Sequence, residues 1–522
     1  MKVICNGTII DGTGAAPFAG DVVVEGDRIA DVIRRGDGAC SALPKAETID
    51  AIGCFVTPGF IDAHTHSDAY LVIEPDAPSK ITQGVTTEIN GQCGGSVAPR
   101  YGEARLSSDW ASLLGPRLTW RSLAEYREVL AAARPAVNTV QFIGHNTLRS
   151  SVVGYAGRAA TQDEMRDMKR LLAQSLDEGG WGLTTGLIYQ PGKYSTPEEV
   201  VELAKVAADR GGLYATHMRS EGDRILEAID EVLDLVRATG IRAEISHLKT
   251  SGRRNWGKID AVLDKMQSAV DAGLILGSDR YPYCAAGTDL DVVLPDWAQE
   301  GAAKAECERL ADAATRARIV AELDASNRDW STVMIGGTWH ADTKRCSGRF
   351  VSDLASGLSV SPGELVCRIL EKDLCRTGAF FFGMSEENLD KIYTRPWIVP
   401  GSDASLRAPW GPLGADHPHP RAYATMPEFY RRVRALGFSR EETVARMTSV
   451  PARRFGLKGR GVIEKGAFAD VVVWSEEGFA ARSTYVEPHR FTDGVKCVMV
   501  NGSVPYFGGR FTGDRAGRFL EK

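Results

Sequence analysis

The residues with the clearest capacity for chemistry are histidines that close apolar runs. In Gly59-Phe60-Ile61-Asp62-Ala63-His64-Thr65-His66 an apolar segment ends in His-x-His. Residues i and i+2 of a strand share a face, so two imidazoles can converge on one cation. Imidazole is a common zinc ligand. Alone the pair is a weak signal, because solvated loop histidines are frequent. The pattern recurs, however: Thr216-His217 and Ser246-His247 close later runs, and Gly401-Ser402-Asp403 closes the last. The chain has only nine histidines, so His64, His66, His217 and His247 in one register point jointly to a metal centre.

Cys93 lies in Asn90-Gly91-Gln92-Cys93-Gly94-Gly95-Ser96. Most free cysteines are small buried hydrophobes. Glycines on both sides suit close backbone approach better than packing, and a thiolate beside Zn²⁺ would be deprotonated and bind well. Asp403 fits three roles: metal ligand, general base, or turn carboxylate. Zinc lowers the pKa of a bound water to about 7, and a carboxylate in reach could take its proton and later protonate a leaving nitrogen.

These residues need a scaffold that gathers strand ends. Short strand-like runs end near Asp62–His66, Gly84–Ile89, Val140–His145, Gly182–Gly186, Leu213–His217, Ala243–His247, Leu274–Asp279 and Ile398–Asp403. Amphipathic helical stretches separate them; in DRILEAIDEVLDLVRATG, Ile225, Ile229, Val232 and Val236 recur at helical spacing. Strands alternating with helices predict an α/β fold, a (β/α)8 TIM barrel over 58–457 with the site at its C-terminal face. The interval 284–345 is too long for a plain connection, which predicts a lid over the mouth. Both ends read as short β-branched strands with Gly and Asp turns. Residues 1–57 and 458–522 are therefore expected to pair into one small β-sandwich, with the barrel inserted between.

Composition bounds the function. Over 522 residues, 43% are hydrophobic and 25% charged, and the formal net charge is −6, a poor match for nucleic acid and a soluble globular profile. No stretch approaches the ~20 apolar residues of a membrane helix, and the start lacks a secretory signal pattern. The ten cysteines, at 5, 40, 54, 93, 284, 307, 346, 367, 375 and 497, are scattered and read as reduced. The expectation is a cytoplasmic protein acting on a small molecule, with no nucleic-acid or membrane partner.

The order HTHSD, GQCGGS, THMRSEGD, SHLKTSG and GSDAS resembles the N-acyl-D-amino-acid deacylases (D-aminoacylases) of the amidohydrolase superfamily. Gly186-Leu187-Ile188-Tyr189-Gln190-Pro191-Gly192, Tyr281-Pro282-Tyr283, His419-Pro420-Arg421-Ala422-Tyr423 and the closing FTGDRAGRFL are similar to the same family. The Cys of the GxCG turn is its most specific mark. Many relatives bridge two metals with a carboxylated Lys, and no Lys stands at the GLTTGLIY strand end. The resemblance implies Cys93, His217 and His247 around a tight zinc, with His64, His66 and Asp403 lining a second, weaker site. It implies Asp403 as catalytic acid/base, and Lys249 and Tyr281 as holders of the substrate carboxylate. Arg219 with Glu221, and His145 with Arg149, are further pocket candidates whose alternative is a structural ion pair. Trp410 and GGTWHADTKRCSGRF match no pattern of the family.

The implied activity is zinc-dependent hydrolysis of the amide bond of an N-acyl-(D-)amino acid or related N-acyl compound. A cyclic-amide hydrolase of the hydantoinase or dihydroorotase kind is the alternative on the same scaffold, disfavoured by Cys93 and the missing lysine. Heterocycle deamination is a third option. A barrel kept only for assembly would be expected to have lost ligands, and every ligand type is present.

Overall fold

The computed structural model describes residues 1–34, 46–104, 106 and 108–522; Cys40 lies outside them. Eight parallel strand positions form the barrel: β1 (Phe60–Asp62), β2 (Val85–Asn90), β3 (Asn138–Gln141, continued by Ile143–Gly144), β4 (Gly182–Gly186), β5 (Leu213–His217), β6 (Arg242–Ile245), β7 (Leu276–Arg280) and β8 (Ile398–Pro400). Neighbours pair in sequence order: β1–β2–β3 form one run, and the continuation of β3 leads through β4, β5, β6 and β7 to β8. Phe142 bridges the break in β3, donating its N–H to Asn90 O at 3.0 Å. The ring closes where Ala63 donates to Pro400 O (3.1 Å) and Asp403 to His64 O (2.8 Å).

The strands are shorter at their C-terminal ends than the sequence suggests. β1, β6 and β8 stop before His64, His247 and Asp403. β6 and β8 end where His247 (φ 37°) and Asp403 (φ 49°) adopt left-handed backbone that ends an extended strand, with one isolated parallel bridge, Thr65 to Ala404, beyond β1 and β8. His145 is not a strand residue; it starts the helix His145–Val152.

The helices bury one stripe each. In Gln162–Asp177 a capping box of Thr161 and Glu164 fixes the start, and Met168, Leu171, Leu172 and Leu176 face the barrel. In Ile225–Thr239 the buried stripe is the one read from the sequence, and Gly240 at φ 65° ends the helix.

The connection between β7 and β8 carries its own antiparallel sheet, Ala286–Asp289, Gly378–Phe381 and Val333–Ile335, over a separate apolar core that includes Leu290, Ile319, Val351, Leu365 and Leu370. The central strand lies well past 345, so the insertion extends beyond the expected interval. A pattern of short strands and helices offered no local mark of where it rejoins the barrel.

The two ends of the chain build one nine-stranded sheet, joined where Phe55–Pro58 pairs antiparallel with Val471–Trp474. Lys2–Ile9 branches it, pairing along its length with Glu47–Asp50 and then Phe55–Pro58. The sheet thereby folds around Ile4, Val22, Ile49, Val56, Val471 and Cys497, drawn from both ends. No disulfide joins any of the nine described cysteines. Among the described residues no helix is long and apolar enough to cross a membrane.

Candidate metal centre

At the C-terminal end of the barrel, His64, Cys93, His247 and Asp403 bring one ligand atom each within 4.8 Å of one another. Cys93 Sγ stands 3.4 Å from Nε2 of His64 and 3.3 Å from Nε2 of His247. Asp403 Oδ1 is 3.4 Å from His64 Nε2 and 3.0 Å from His66 Nε2. The rings of His217 and His247 lie 4.5 Å apart, centroid to centroid. Sequence separations of up to 339 residues thus collapse into one cluster, because the residues come from the C-terminal ends of five barrel strands, β1, β2, β5, β6 and β8.

Backbone strain marks the cluster. Cys93 (φ 52°), His247 (φ 37°) and Asp403 (φ 49°) all sit in the left-handed region, which non-glycine residues enter rarely and at a cost. The fold offsets that cost to aim three side chains inward. Gly186, at the end of β4, makes room for the Cys93 turn: a Cβ there would meet Cys93 O at 2.1 Å. The strand end without a lysine is therefore filled by the cysteine loop.

Surrounding groups orient the ligands. Asp279, at the end of β7, contacts His64 Nδ1 at 3.2 Å and accepts the His247 backbone N–H at 2.9 Å. Sequence reasoning missed Asp279, although its place at a strand end in the same register was a usable signal. Lys80, with no exposed side chain, donates to Asp62 Oδ2 (2.9 Å), Ser402 Oγ (2.9 Å) and Ala404 O (2.9 Å), tying β1 to the loop after β8.

The donors fit a zinc ion. Both ring nitrogens of His217 are buried without a hydrogen-bond partner; the 3.4 Å approach of its Nε2 to Glu221 lacks hydrogen-bond geometry. Burial opposes ionising the Cys93 thiol, but His64 and His247 outweigh it and hold the thiol well below its usual range. Burial would lower His64, yet Asp279 and Cys93 raise it well above the ordinary imidazole value. Anionic sulfur and carboxylate thus draw positive charge to the centre, and imidazole with thiolate is the ligand chemistry of zinc. A second triad, His217, Glu221 and His247, already holds a cation of its own: the Lys249 ammonium pairs with Glu221 and lies 2.8 Å from His247 Nδ1.

Beside the centre, Tyr281 is fully buried and its hydroxyl has no hydrogen-bond partner. Burial raises that phenol, but Lys249, Arg280 and Arg421 together hold it below its usual value. Arg421 was quoted from the sequence without a role. Its Nη1 pairs with Asp403 Oδ2 at 2.9 Å and its Nη2 donates to Gly287 O at 3.1 Å, in the inserted sheet.

Arg219 and His145 are not brought to the centre. Arg219 is bidentate to Glu231 (3.1 and 3.0 Å) beside a separate cavity of about 360 Å³ between helices. His145 and Arg149 both engage Glu199, at 2.9 and 2.7 Å. For both, the structural ion pair is what the fold contains. Trp410 is also remote, its indole donating to Glu74 at 3.0 Å.

The chain is similar to known proteins along most of its length. The profile of the amidohydrolase family matches residues 47–506. The chain is 34% identical over 504 residues to N-acyl-D-glutamate deacylase of Alcaligenes xylosoxydans xylosoxydans, covering 96% of this chain and 92% of that protein. It is 33% identical to D-aminoacylase of the same organism, covering 100% and 97%. The structure superposes with TM-score 0.83 on N-acyl-D-glutamate deacylase from Bordetella bronchiseptica, complexed with zinc and a phosphonate that mimics the tetrahedral intermediate, at 32% identity over 100% and 99% of the two chains. A D-hydantoinase from Thermus sp. shares the fold, at TM-score 0.57 and 16% identity.

Proposed function

Because the chain belongs to the amidohydrolase family, we propose that it hydrolyses the amide bond of N-acyl-D-amino acids, releasing a carboxylate and a free amino acid. The observation that carries this reading is the juxtaposition of a thiolate-containing metal centre with Lys249, Tyr281 and Arg421, a cradle for one carboxylate. A linear N-acyl amino acid presents a carboxylate one carbon from its amide nitrogen, whereas a hydantoin presents none.

Cys93, His217 and His247 would hold one tight zinc, with His64, His66 and Asp403 beside a second, weaker position. When bound, zinc supplies Lewis-acid activation of the acyl carbonyl and of water. The chain's own residues do the rest. Lys249, the Tyr281 hydroxyl and Arg421 hold the α-carboxylate by charge-assisted hydrogen bonds and so fix the scissile amide against the centre. Asp403 Oδ1, on the ligand side, accepts the proton of the attacking water and delivers it to the departing nitrogen. Burial would raise that carboxyl, but Arg421 and His247 hold it well below the usual range, so it begins each cycle as a base. The inserted sheet reaches this site through Gly287, whose carbonyl accepts from Arg421 at 3.1 Å.

The test is amine release from matched N-acetyl-D- and N-acetyl-L-amino acids and a hydantoin by zinc-loaded protein. Turnover of the D-series alone supports the proposal; preference for the hydantoin or the L-series refutes it.

A further inference from the structure

Glu221 links the metal centre to the carboxylate cradle, approaching His247 of the one and Lys249 of the other. It is partly buried, with a side chain 11% exposed. Its Oε1 lies 2.9 Å from His247 Nδ1 and also pairs with Lys249 Nζ. Lys249 Nζ in turn lies 2.8 Å from the same Nδ1 and donates to His247 O at 3.1 Å. One imidazole nitrogen therefore lies beside both a carboxylate and an ammonium, of which only Lys249 meets it in hydrogen-bond geometry, while the opposite nitrogen, Nε2, lies 3.3 Å from Cys93 Sγ.

The two neighbours impose opposite tautomers. If Nδ1 carries the proton it donates to Glu221, and Nε2 keeps its lone pair for a metal. If Nδ1 is bare it accepts from Lys249, and the proton moves to Nε2, where it blocks coordination. A ligating histidine commonly has its tautomer fixed by a carboxylate at the other nitrogen.

We propose that Glu221 is a positioning residue. It draws the Nδ1 proton of His247 and occupies the Lys249 ammonium, so that Nε2 stays available for zinc. The same contact parks Lys249 with its Nζ 5.9 Å from the Tyr281 ring centroid, beside the site given above to the substrate carboxylate. One side chain thereby couples metal retention to the placement of the substrate-binding cation. This inference rests on His247 being a zinc ligand.

The experiment measures zinc retention against a chelator for holoenzyme and variants, with circular dichroism confirming the fold. Glu221→Ala leaves Lys249 as the sole polar neighbour of Nδ1 and is expected to weaken zinc roughly 10- to 100-fold. Adding Lys249→Met to that variant removes the competing donor and is expected to recover at least part of the loss. Glu221→Gln, whose amide oxygen still accepts, is expected to retain zinc better than Glu221→Ala and serves if the alanine variant does not fold. Wild-type retention in Glu221→Ala, or no recovery in the double variant, overturns the inference. His247→Ala separates the two levels: if it keeps zinc, the ligand assignment itself fails; if it loses zinc while Glu221→Ala does not, only the role of Glu221 falls.

Discussion

Arg421 Nη1 stands 2.9 Å from Asp403 Oδ2, so the two oxygens of the one carboxylate face different partners. Oδ2 is held by a fixed cation, and Oδ1 looks toward His66 and His64 at 3.0 and 3.4 Å. A proton carrier is useful only if one oxygen is free for the reaction while the other fixes its orientation. The left-handed backbone of Asp403 and the bond from its N–H to His64 O lock the same geometry from behind.

Asp403→Asn keeps the shape and removes the proton acceptor. It should lower kcat by roughly 10²- to 10⁴-fold while zinc stays bound, as single-turnover kinetics and metal analysis on one sample would show. Near-normal turnover would remove Asp403 from the mechanism.

Arg421→Lys keeps the charge but cannot span Asp403 and Gly287 O together. KM for an N-acyl-D-amino acid should rise roughly 10- to 100-fold, the worth of one charge-assisted hydrogen bond, with a smaller fall in kcat. An unchanged KM would place the substrate carboxylate elsewhere.

Lys80→Met leaves Asp62 and Glu88 buried without their cation, which approaches them at 2.9 and 3.3 Å. Unpairing a buried charge costs about 3–5 kcal/mol, so urea unfolding should show a loss of that order. A loss under about 1 kcal/mol would contradict this account of the cluster.

The insertion carries a stability signal separate from the metal centre. Burial, then the neighbouring Glu306, pushes the Asp291 carboxyl up to about 8. An unfolded Asp releases its proton near 4, so between about 4 and 8 the native state keeps a proton that the unfolded chain has lost. This contribution is full below about 4, falls as pH rises toward 8, and is flat above that. Asp291→Asn should flatten the decline of thermal stability between pH 5 and 8; an unchanged slope would refute the assignment.

Much of the site was legible because barrel strands convert sequence into position. His64 and His66 stand two apart after an apolar run, and His217, His247 and Asp403 end later runs, so one register placed all five at one rim. Cys93 was legible from its glycines, which the close approach of Gly186 explains. Residues that act across the fold were not. Arg421 follows β8 by more than twenty residues and returns over Asp403, and Lys80 reaches the loop after β8 from the short helix Pro78–Ile81. Nothing in local spacing encodes either approach. Arg219 and His145 misled for the converse reason: each follows a barrel strand as a ligand would, but a carboxylate on an adjacent helix, Glu231 or Glu199, captures it first.

The central claim is tested most directly by titrating metal-free protein with zinc while following amine release from an N-acetyl-D-amino acid. Turnover should be absent without zinc, rise in proportion to zinc up to one equivalent per chain, and be lost in Cys93→Ala. Full turnover without metal, or turnover in Cys93→Ala equal to wild type at one equivalent, would contradict a single zinc held by Cys93, His217 and His247.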